Sequence, residues 1–184
     1  MATRKSSSSS SGIGKLFLGI ILGVLLVAVG GFLYLRYAAL PVAVTDKPFY
    51  LEAQIVHVPM NARIAREKKD PPFGTSEDVF ESGAKIYQQQ CAMCHGTPGH
   101  DAAIAKHMYP SIPQLWAKHK GGTVGVSDDD ASETYWKVAN GIRLTGMPSY
   151  NHILSDTQMW QVSLLLKNAD QPLPDPVMKL INQP

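Results

Sequence analysis

The sequence predicts an all-α protein with one N-terminal transmembrane helix, and three observations support this fold class. An uncharged apolar run of 20 residues lies near the N-terminus. Further along the chain, apolar residues recur at helical spacing between recognisable capping residues. No segment shows the apolar and polar alternation that is typical of a half-buried strand. We therefore expect an anchor followed by one helical domain.

The apolar run, Leu16–Leu35, is long enough to cross a bilayer as a helix. Arg4, Lys5 and Lys15 precede it, whereas only Arg36 closely follows it. Because basic residues favour the cytoplasmic side, we expect a cytoplasmic N-terminus and a periplasmic domain at a bacterial cytoplasmic membrane. A cleaved leader is the alternative, but no clear cleavage site follows the run, which also exceeds the usual leader length.

Charge is divided unevenly along the chain. The formal net charge is +2, yet residues 1–45 hold four basic groups and no acids. The remaining 13 basic and 15 acidic groups give the rest of the chain a net charge of −2. The basic excess therefore belongs to membrane insertion, and no basic patch interleaved with aromatic residues indicates nucleic-acid binding.

These features predict five segments along the chain: a disordered cytoplasmic tail (1–15), the transmembrane anchor (16–37), a linker and N-terminal extension (38–74), the helical domain (75–170) and a Pro-rich C-terminal tail (171–184). In the extension, Leu51, Ile55 and Val58 have helical spacing, but Pro59 interrupts the pattern. We expect this extension to pack partly on the domain.

The first helix of the domain is predicted to begin at Thr75, which forms a capping-box variant with Asp78. Its apolar stripe is made up of Val79, Phe80, Gly83, Ile86 and Tyr87. The stretch Ala102–Met108 is predicted to form a short helix.

Two further helices are predicted in the second half of the domain. One spans Ala131–Asn140 and is stopped by Gly141. The other begins with a capping box of Ser155 and Gln158 and continues to about Asn168. Prolines after Gln171 are expected to end regular structure.

Cys91-Ala92-Met93-Cys94-His95 is the attachment signature of a c-type haem. Cysteines three positions apart project to the same side of a helical turn. Both thiols can then add to haem vinyl groups, while His95 reaches the iron as proximal ligand. One covalently attached haem c is therefore the expected cofactor.

The pentapeptide alone is also compatible with half of a zinc site or with a redox-active pair of cysteines. The chain has only two cysteines, so a four-cysteine zinc site is excluded. A mixed site completed by His95, His100, His107 or His119 remains open.

Met147 is the candidate for the second axial ligand of the iron. It lies in a loop between two predicted helices, where Gly146 permits unusual backbone angles and Pro148 stiffens the chain. Core filling is the usual role of a methionine, but the loop position favours ligation. His152, Met108 and His107 are the competing ligands.

The chain resembles a membrane-anchored class I cytochrome c over approximately residues 75–168. The resemblance rests on Cys91-x-x-Cys94-His95, Gly83 and Tyr87, Pro113-x-Leu115, and Gly146-Met147-Pro148. It implies that Gly83 and Tyr87 pack against the last helix. It also implies that the Pro113 carbonyl accepts a hydrogen bond from His95 and so orients the ring. The chain differs from the shortest members of the class in having 17 residues between His95 and Pro113.

An iron held by nitrogen and sulfur on opposite faces has no vacant position for a substrate. The sequence therefore predicts a one-electron carrier rather than an enzyme, either tethered on its own or part of a respiratory or photosynthetic complex. The expected partners are the membrane, a redox donor and a redox acceptor. The alternatives are a haem enzyme or gas sensor with an open iron site, if Met147 does not ligate, and an interaction subunit with a structural haem.

Overall fold

The computed structural model describes residues 10–119 and 121–183. Helix α1, Ser10–Tyr37, contains the apolar segment Gly12–Tyr37, which among the described residues is the one helix able to cross a membrane by length and composition. At 1.5 Å per residue, this segment is about 39 Å long. The first nine residues of the predicted tail lie outside the described residues, and residues 10–15 belong to α1.

Residues 1–42 and 43–184 form two compact units. The second unit holds six α-helices among its described residues and a 3₁₀ turn over Ala103–His107. The α-helices are α2 (Glu52–Glu67), α3 (Glu77–Gln90), α4 (Ala92–His95), α5 (Ala131–Asn140), α6 (Asp156–Lys167) and α7 (Asp175–Ile181). Extended pairing in the described residues is limited to two isolated bridges. The all-α prediction is confirmed.

The core of the second unit forms where α3 crosses α6 and α7, with α5 packed on the other side of α6. Tyr87, Trp160 and Leu165 are fully buried there. Gly83 allows the closest approach, since a Cβ at this position would lie 2.5 Å from the carbonyl oxygen of Gln161 and 3.1 Å from Cβ of Leu165. The expected packing of Gly83 against the last long helix of the domain is therefore present.

The helix caps differ from the predictions at one position. Ser76, rather than Thr75, caps α3, because its hydroxyl accepts a hydrogen bond of 3.3 Å from the amide of Val79. The predicted bounds of α5 and the capping box of Ser155 and Gln158 are both confirmed. Neighbouring Ser and Thr residues are both good caps, so sequence alone does not choose between them.

Helix α7 corrects the prediction that regular structure ends at Gln171. Pro176 lies in the first turn of α7, where the missing amide hydrogen costs nothing. Val177 and Ile181 are fully buried, and α7 packs against α3. Two apolar residues four positions apart are enough to hold this short helix on the domain.

Helix α2 continues through Pro59, which was expected to interrupt the helical pattern. Its second half packs on α5: Ile64 is buried, and the indole nitrogen of Trp136 donates a hydrogen bond of 2.9 Å to Glu67. An ion pair of 2.9 Å between Lys68 and Asp130 follows immediately. The packing of α2 on α5 therefore depends on residues C-terminal to the proline.

Candidate haem site

The Cys-x-x-Cys-His turn is a direct continuation of α3. The amide of Cys91 donates to the carbonyl of Tyr87 over 2.8 Å, and the amide of His95 donates to the carbonyl of Cys91 over 2.9 Å. Cys91 and Cys94 thus lie three residues apart within one helical turn. Both are partly buried free thiols. This geometry places two thiols on the same side, as covalent attachment to one porphyrin requires.

Two tyrosine hydroxyls hold the ends of this turn. Tyr87 donates to the carbonyl of Gly96, directly after His95, over 2.7 Å. Tyr150 donates to the carbonyl of Gln90, directly before Cys91, also over 2.7 Å. The backbone on either side of the pentapeptide is therefore fixed by hydrogen bonds from two separate parts of the chain.

The ring of His95 has a defined orientation. Its Nδ1 atom lies 2.8 Å from the carbonyl oxygen of Pro113. A carbonyl can only accept, so Nδ1 donates and Nε2 keeps its lone pair for a metal. Burial lowers the pKa of His95, and the hydrogen bond to Pro113 offsets part of this effect. The neutral imidazole is the form that binds iron.

Gln114, whose role the sequence did not indicate, braces the Pro113 segment against the turn after His95. Its amide nitrogen donates to the carbonyl of Thr97 over 2.7 Å, and its carbonyl oxygen accepts from the amide of Trp116 over 2.5 Å. A glutamine in a loop carries no local signal of such a role, because its two partners are brought together only by the fold.

The loop that contains Met147 begins where α5 ends at Gly141, which has a φ of +67°. The amide of Met147 donates to the hydroxyl of Thr145 over 3.1 Å, and its carbonyl accepts from the amide of Ile142 over 3.3 Å. Met147 is partly buried against the hydrophobic core. Hydrogen bonds at both its amide and its carbonyl therefore fix the backbone of Met147.

The expectation that Gly146 provides an unusual backbone angle is wrong. The positive φ angles of this loop belong to Gly141, at its start, and to Leu144, where φ is 63°. A Cβ at Gly146 would overlap the terminal methyl group of Met108, which is the end of a flexible side chain and can move aside. Met108, a competing ligand in the sequence, therefore packs beside the Met147 loop.

Tyr150 shows that this loop lies close to the cysteine pair. Its amide donates to the carbonyl of Val138 over 3.0 Å, and its hydroxyl reaches Gln90. The pKa of Tyr150 is raised, first by burial and then by the thiolate charges of Cys91 and Cys94. The structure therefore brings the Met147 loop, the cysteine turn and the Pro113 segment to one region.

The two non-haem interpretations of the cysteine pair lose support. No group of three or more His, Cys, Asp or Glu side chains that could hold a metal assembles within residues 10–119 and 121–183. Burial, with a contribution from Cys94, raises the pKa of Cys91 to about 12. A thiol with so high a pKa is a poor nucleophile at neutral pH, which disfavours a role in disulfide exchange.

The residues present fit a covalently bound haem. Besides the two thiols and the neutral imidazole, the buried indole nitrogen of Trp116 lacks a hydrogen-bond acceptor among the described residues. The Trp116 ring packs edge-on against Tyr87 with centroids 5.4 Å apart, beside the cysteine turn. A buried donor without an acceptor is costly unless a bound group satisfies it.

An all-α domain whose first helix runs into a Cys-x-x-Cys-His turn, with the histidine bonded to a proline carbonyl, defines a c-type cytochrome. A comparison with known families agrees: the family described as "Cytochrome C oxidase, cbb3-type, subunit III" matches residues 78–164. No curated protein and no solved structure matches the chain. The matched domain and the N-terminal apolar helix fit a membrane-anchored cytochrome c with a class I-like domain, and such a domain implies a covalently bound haem c and electron transfer.

Proposed function

We propose that His95 and Met147 are the axial ligands of the haem iron, and that Cys91 and Cys94 form the thioether bonds. The observation that carries the proposal is the link between the Met147 loop and the cysteine turn through Tyr150 and Gln90. Pro113 holds the His95 ring through its carbonyl and so fixes the tautomer that can bind iron.

Bound haem c would accept and release one electron reversibly. The protein residues determine whether the iron can also bind a small molecule. An iron held by the imidazole of His95 and the thioether of Met147 would offer no position at which a substrate or a gas could bind. Met/His ligation also raises the reduction potential. The function that follows is outer-sphere electron transfer between protein partners.

The place of this electron transfer is the membrane. Tethering by α1 raises the concentration of the haem domain near membrane redox complexes. The matching family takes its name from an oxidase subunit, which favours a subunit of a respiratory oxidase complex over a photosynthetic complex or a carrier that diffuses alone.

The basic residues before the anchor support a single-pass topology with a cytoplasmic N-terminus and a periplasmic haem domain. The proposed segments are a cytoplasmic tail over residues 1–15, of which residues 10–15 are helical and continue into α1, an anchor over 16–37, an extension over 38–74, and the cytochrome domain over 75–170, against which α7 of the segment 171–184 packs.

The test is absorption spectroscopy of the purified full-length protein and of Met147→Ala. The oxidised wild type should show the far-red sulfur-to-iron band, and the reduced wild type should not bind carbon monoxide readily. Met147→Ala should lose the band and bind carbon monoxide, because the iron gains an open position.

Met108→Leu is the matched control, since it removes the neighbouring thioether and keeps the apolar bulk. It should retain the far-red band. Rapid carbon monoxide binding by the wild type would instead favour the haem enzyme or gas sensor, and loss of the band in Met108→Leu alone would make Met108 the ligand.

A further inference from the structure

Exposed large apolar side chains are concentrated in the linker before α2 and in the first half of α2. Among the described residues after α1, 13 large apolar side chains are exposed, and eight of these lie between Val42 and Val58. The other five are scattered from Met93 to Ile153. Monomeric soluble proteins rarely expose a contiguous apolar patch of this kind without a binding partner.

Within α2 and at its start, five exposed apolar residues follow one line along the helix, whereas Val56, which is 50% exposed, lies off this line. Leu51, Ile55, Val58, Ala62 and Ala65 are separated by alternating steps of four and three residues. At 3.6 residues per turn, they share one face, named here the α2 stripe. The exposed fractions of Leu51, Ile55 and Val58 are 45%, 55% and 69%.

The opposite face of α2 is the one that packs on the domain. Ile64 is buried, Met60 is half-buried and Glu67 accepts the hydrogen bond from Trp136. These positions lie on the far side of the helix from the α2 stripe. The stripe therefore points away from α5 and adds nothing to the core of the second unit.

The residues around the α2 stripe suit an anionic lipid surface. Phe49 and Tyr50 precede it, and aromatic residues favour the membrane interface. Between Phe49 and Lys69, four basic residues outnumber two acidic ones, although Arg63 is paired with Glu67 and Lys68 with Asp130. An apolar helix face with aromatic and basic neighbours is the pattern of a helix that lies in the headgroup region.

The covalent chain keeps this segment near the bilayer. Only 11 residues, 38–48, separate Tyr37 at the end of α1 from Phe49. Even fully extended, the chain between Tyr37 and Phe49 spans no more than about 40 Å. A surface with weak intrinsic affinity for lipid would therefore bind at high effective concentration.

We propose that the α2 stripe lies in the headgroup region of the bilayer that holds α1. The helix then lies parallel to the membrane plane, and its contacts with α5 hold the haem domain against the lipid surface. The inference rests on membrane anchoring by α1 and is independent of which residue occupies the sixth position of the iron.

A second copy of the chain is the other occupant that the spacing of the stripe suggests, since steps of four and three are those of a coiled coil. The stripe is shorter than the three to four heptads that usually sustain one. Two of its five positions are alanine, which would fill such a seam poorly. Lipid, which needs no matching seam, is the better-supported occupant.

The test measures the reactivity of single cysteines in lipid nanodiscs of phosphatidylcholine and phosphatidylglycerol that hold one full-length chain each. The holoprotein has no other free thiol, because Cys91 and Cys94 bind haem. Val58→Cys places the thiol on the stripe. His57→Cys, one residue earlier and 100° around the helix, is the matched control at another exposed position.

Each rate of modification by a water-soluble maleimide is divided by the rate for the same variant unfolded in guanidinium. We expect Val58→Cys to be at least tenfold more protected than His57→Cys. Equal rates would overturn the proposal, as would protection that requires two chains per disc, since that result would identify a second copy as the occupant.

A second measurement identifies lipid directly. Wild-type protein in nanodiscs containing a phospholipid with a photoactivatable group near its headgroup should form lipid adducts within residues 49–58, mapped by mass spectrometry. Protection of Val58→Cys without such adducts would overturn the proposal, because the thiol would then be shielded by another part of the chain and not by lipid. Retention of the haem spectrum in both cysteine variants verifies that they are folded.

Discussion

At the scale of single residues, the haem-binding turn is held by two tyrosines, one close to it in sequence and one far from it. Tyr87 comes from α3, and Tyr150 follows the Met147 loop. One hydroxyl fixes the carbonyl after His95 and the other fixes the carbonyl before Cys91. Tyr150 also lies three residues after Met147. Its hydrogen bond to Gln90 therefore links the loop of one proposed axial ligand, Met147, to the turn that holds the other, His95.

Replacing Tyr150 with Phe should test this connection. The variant loses the hydrogen bond to Gln90 and keeps the aromatic packing, so the free energy of unfolding should fall by about 1 kcal/mol. As the pH is raised, the far-red band should also disappear at a lower pH than in the wild type, because a less restrained loop releases Met147 from the iron more easily. Chemical denaturation and a pH titration of the band measure the two effects.

Tyr50→Phe is the control for that variant, because Tyr50 is exposed and lies outside the site. It should match the wild type in both measurements. If Tyr150→Phe behaved like Tyr50→Phe, the hydroxyl of Tyr150 would have no role in holding the loop.

The residues of the site were predictable from sequence to different degrees. Cys91, Cys94 and His95 were predictable because all three lie in one short segment with the spacing that haem attachment requires. The contact between His95 and Pro113 followed from a family resemblance, and the structure contains it. Gln114 and Tyr150 were missed, because a hydrogen bond to a distant backbone carbonyl leaves no pattern in the neighbouring residues.

At the scale of helices, the crossing of α3 and α6 depends on the absence of one side chain. In Gly83→Ala, the new Cβ would meet the backbone of Gln161 at 2.5 Å, and a backbone cannot move aside as a flexible side chain can. We expect a loss of about 1–3 kcal/mol in the free energy of unfolding, despite the better helix propensity of alanine. Thermal or urea unfolding measures this loss.

Gly74→Ala is the matched control for the crossing, since a Cβ at Gly74 would meet nothing within 4 Å. It should change stability by only a few tenths of a kcal/mol. Equal effects of the two variants would mean that α3 and α6 do not pack through Gly83.

The packing of α2 on α5 should depend on pH through Glu67. Its pKa is lowered, chiefly by the hydrogen bond from Trp136 and then by that from Arg63. A carboxyl group whose folded pKa is depressed stabilises the fold above its ordinary pKa of 4.5, and this stabilisation is lost as pH falls through the folded value.

Glu67→Gln removes this titration and keeps an oxygen that can accept from Trp136. In urea unfolding from pH 6 to pH 3, the stability advantage of the wild type over Glu67→Gln should shrink as the pH falls. A constant difference across this range would show that the charge of Glu67 does not contribute to the packing of α2.

Helices that carry both periodicity and caps were predictable, as α5 and α6 show. Helix α7 was missed because prolines before and within its first turn looked like a terminator, while its burial depends on a groove beside α3 that no local pattern encodes. The same holds for α2, whose second half is ordered by contacts with α5 that outweigh the hydrogen bond lost at Pro59.

At the scale of the whole molecule, a membrane anchor is joined to a domain built around one haem. The anchor and the cofactor were both visible in the sequence, because a long uncharged run and a Cys-x-x-Cys-His turn are each continuous in the chain. The α2 stripe became meaningful only when the structure showed which face of α2 packs on the domain. A tethered haem whose iron is held by His95 and Met147, as proposed, would be suited to passing electrons between membrane partners.

Redox titration of the full-length protein in lipid nanodiscs, followed by haem absorbance, tests this central claim most directly. The account predicts a single reversible wave that fits the transfer of one electron, at a potential between those of quinols and terminal acceptors. A haem that quinol-level donors cannot reduce, or that is not reoxidised reversibly, would contradict it.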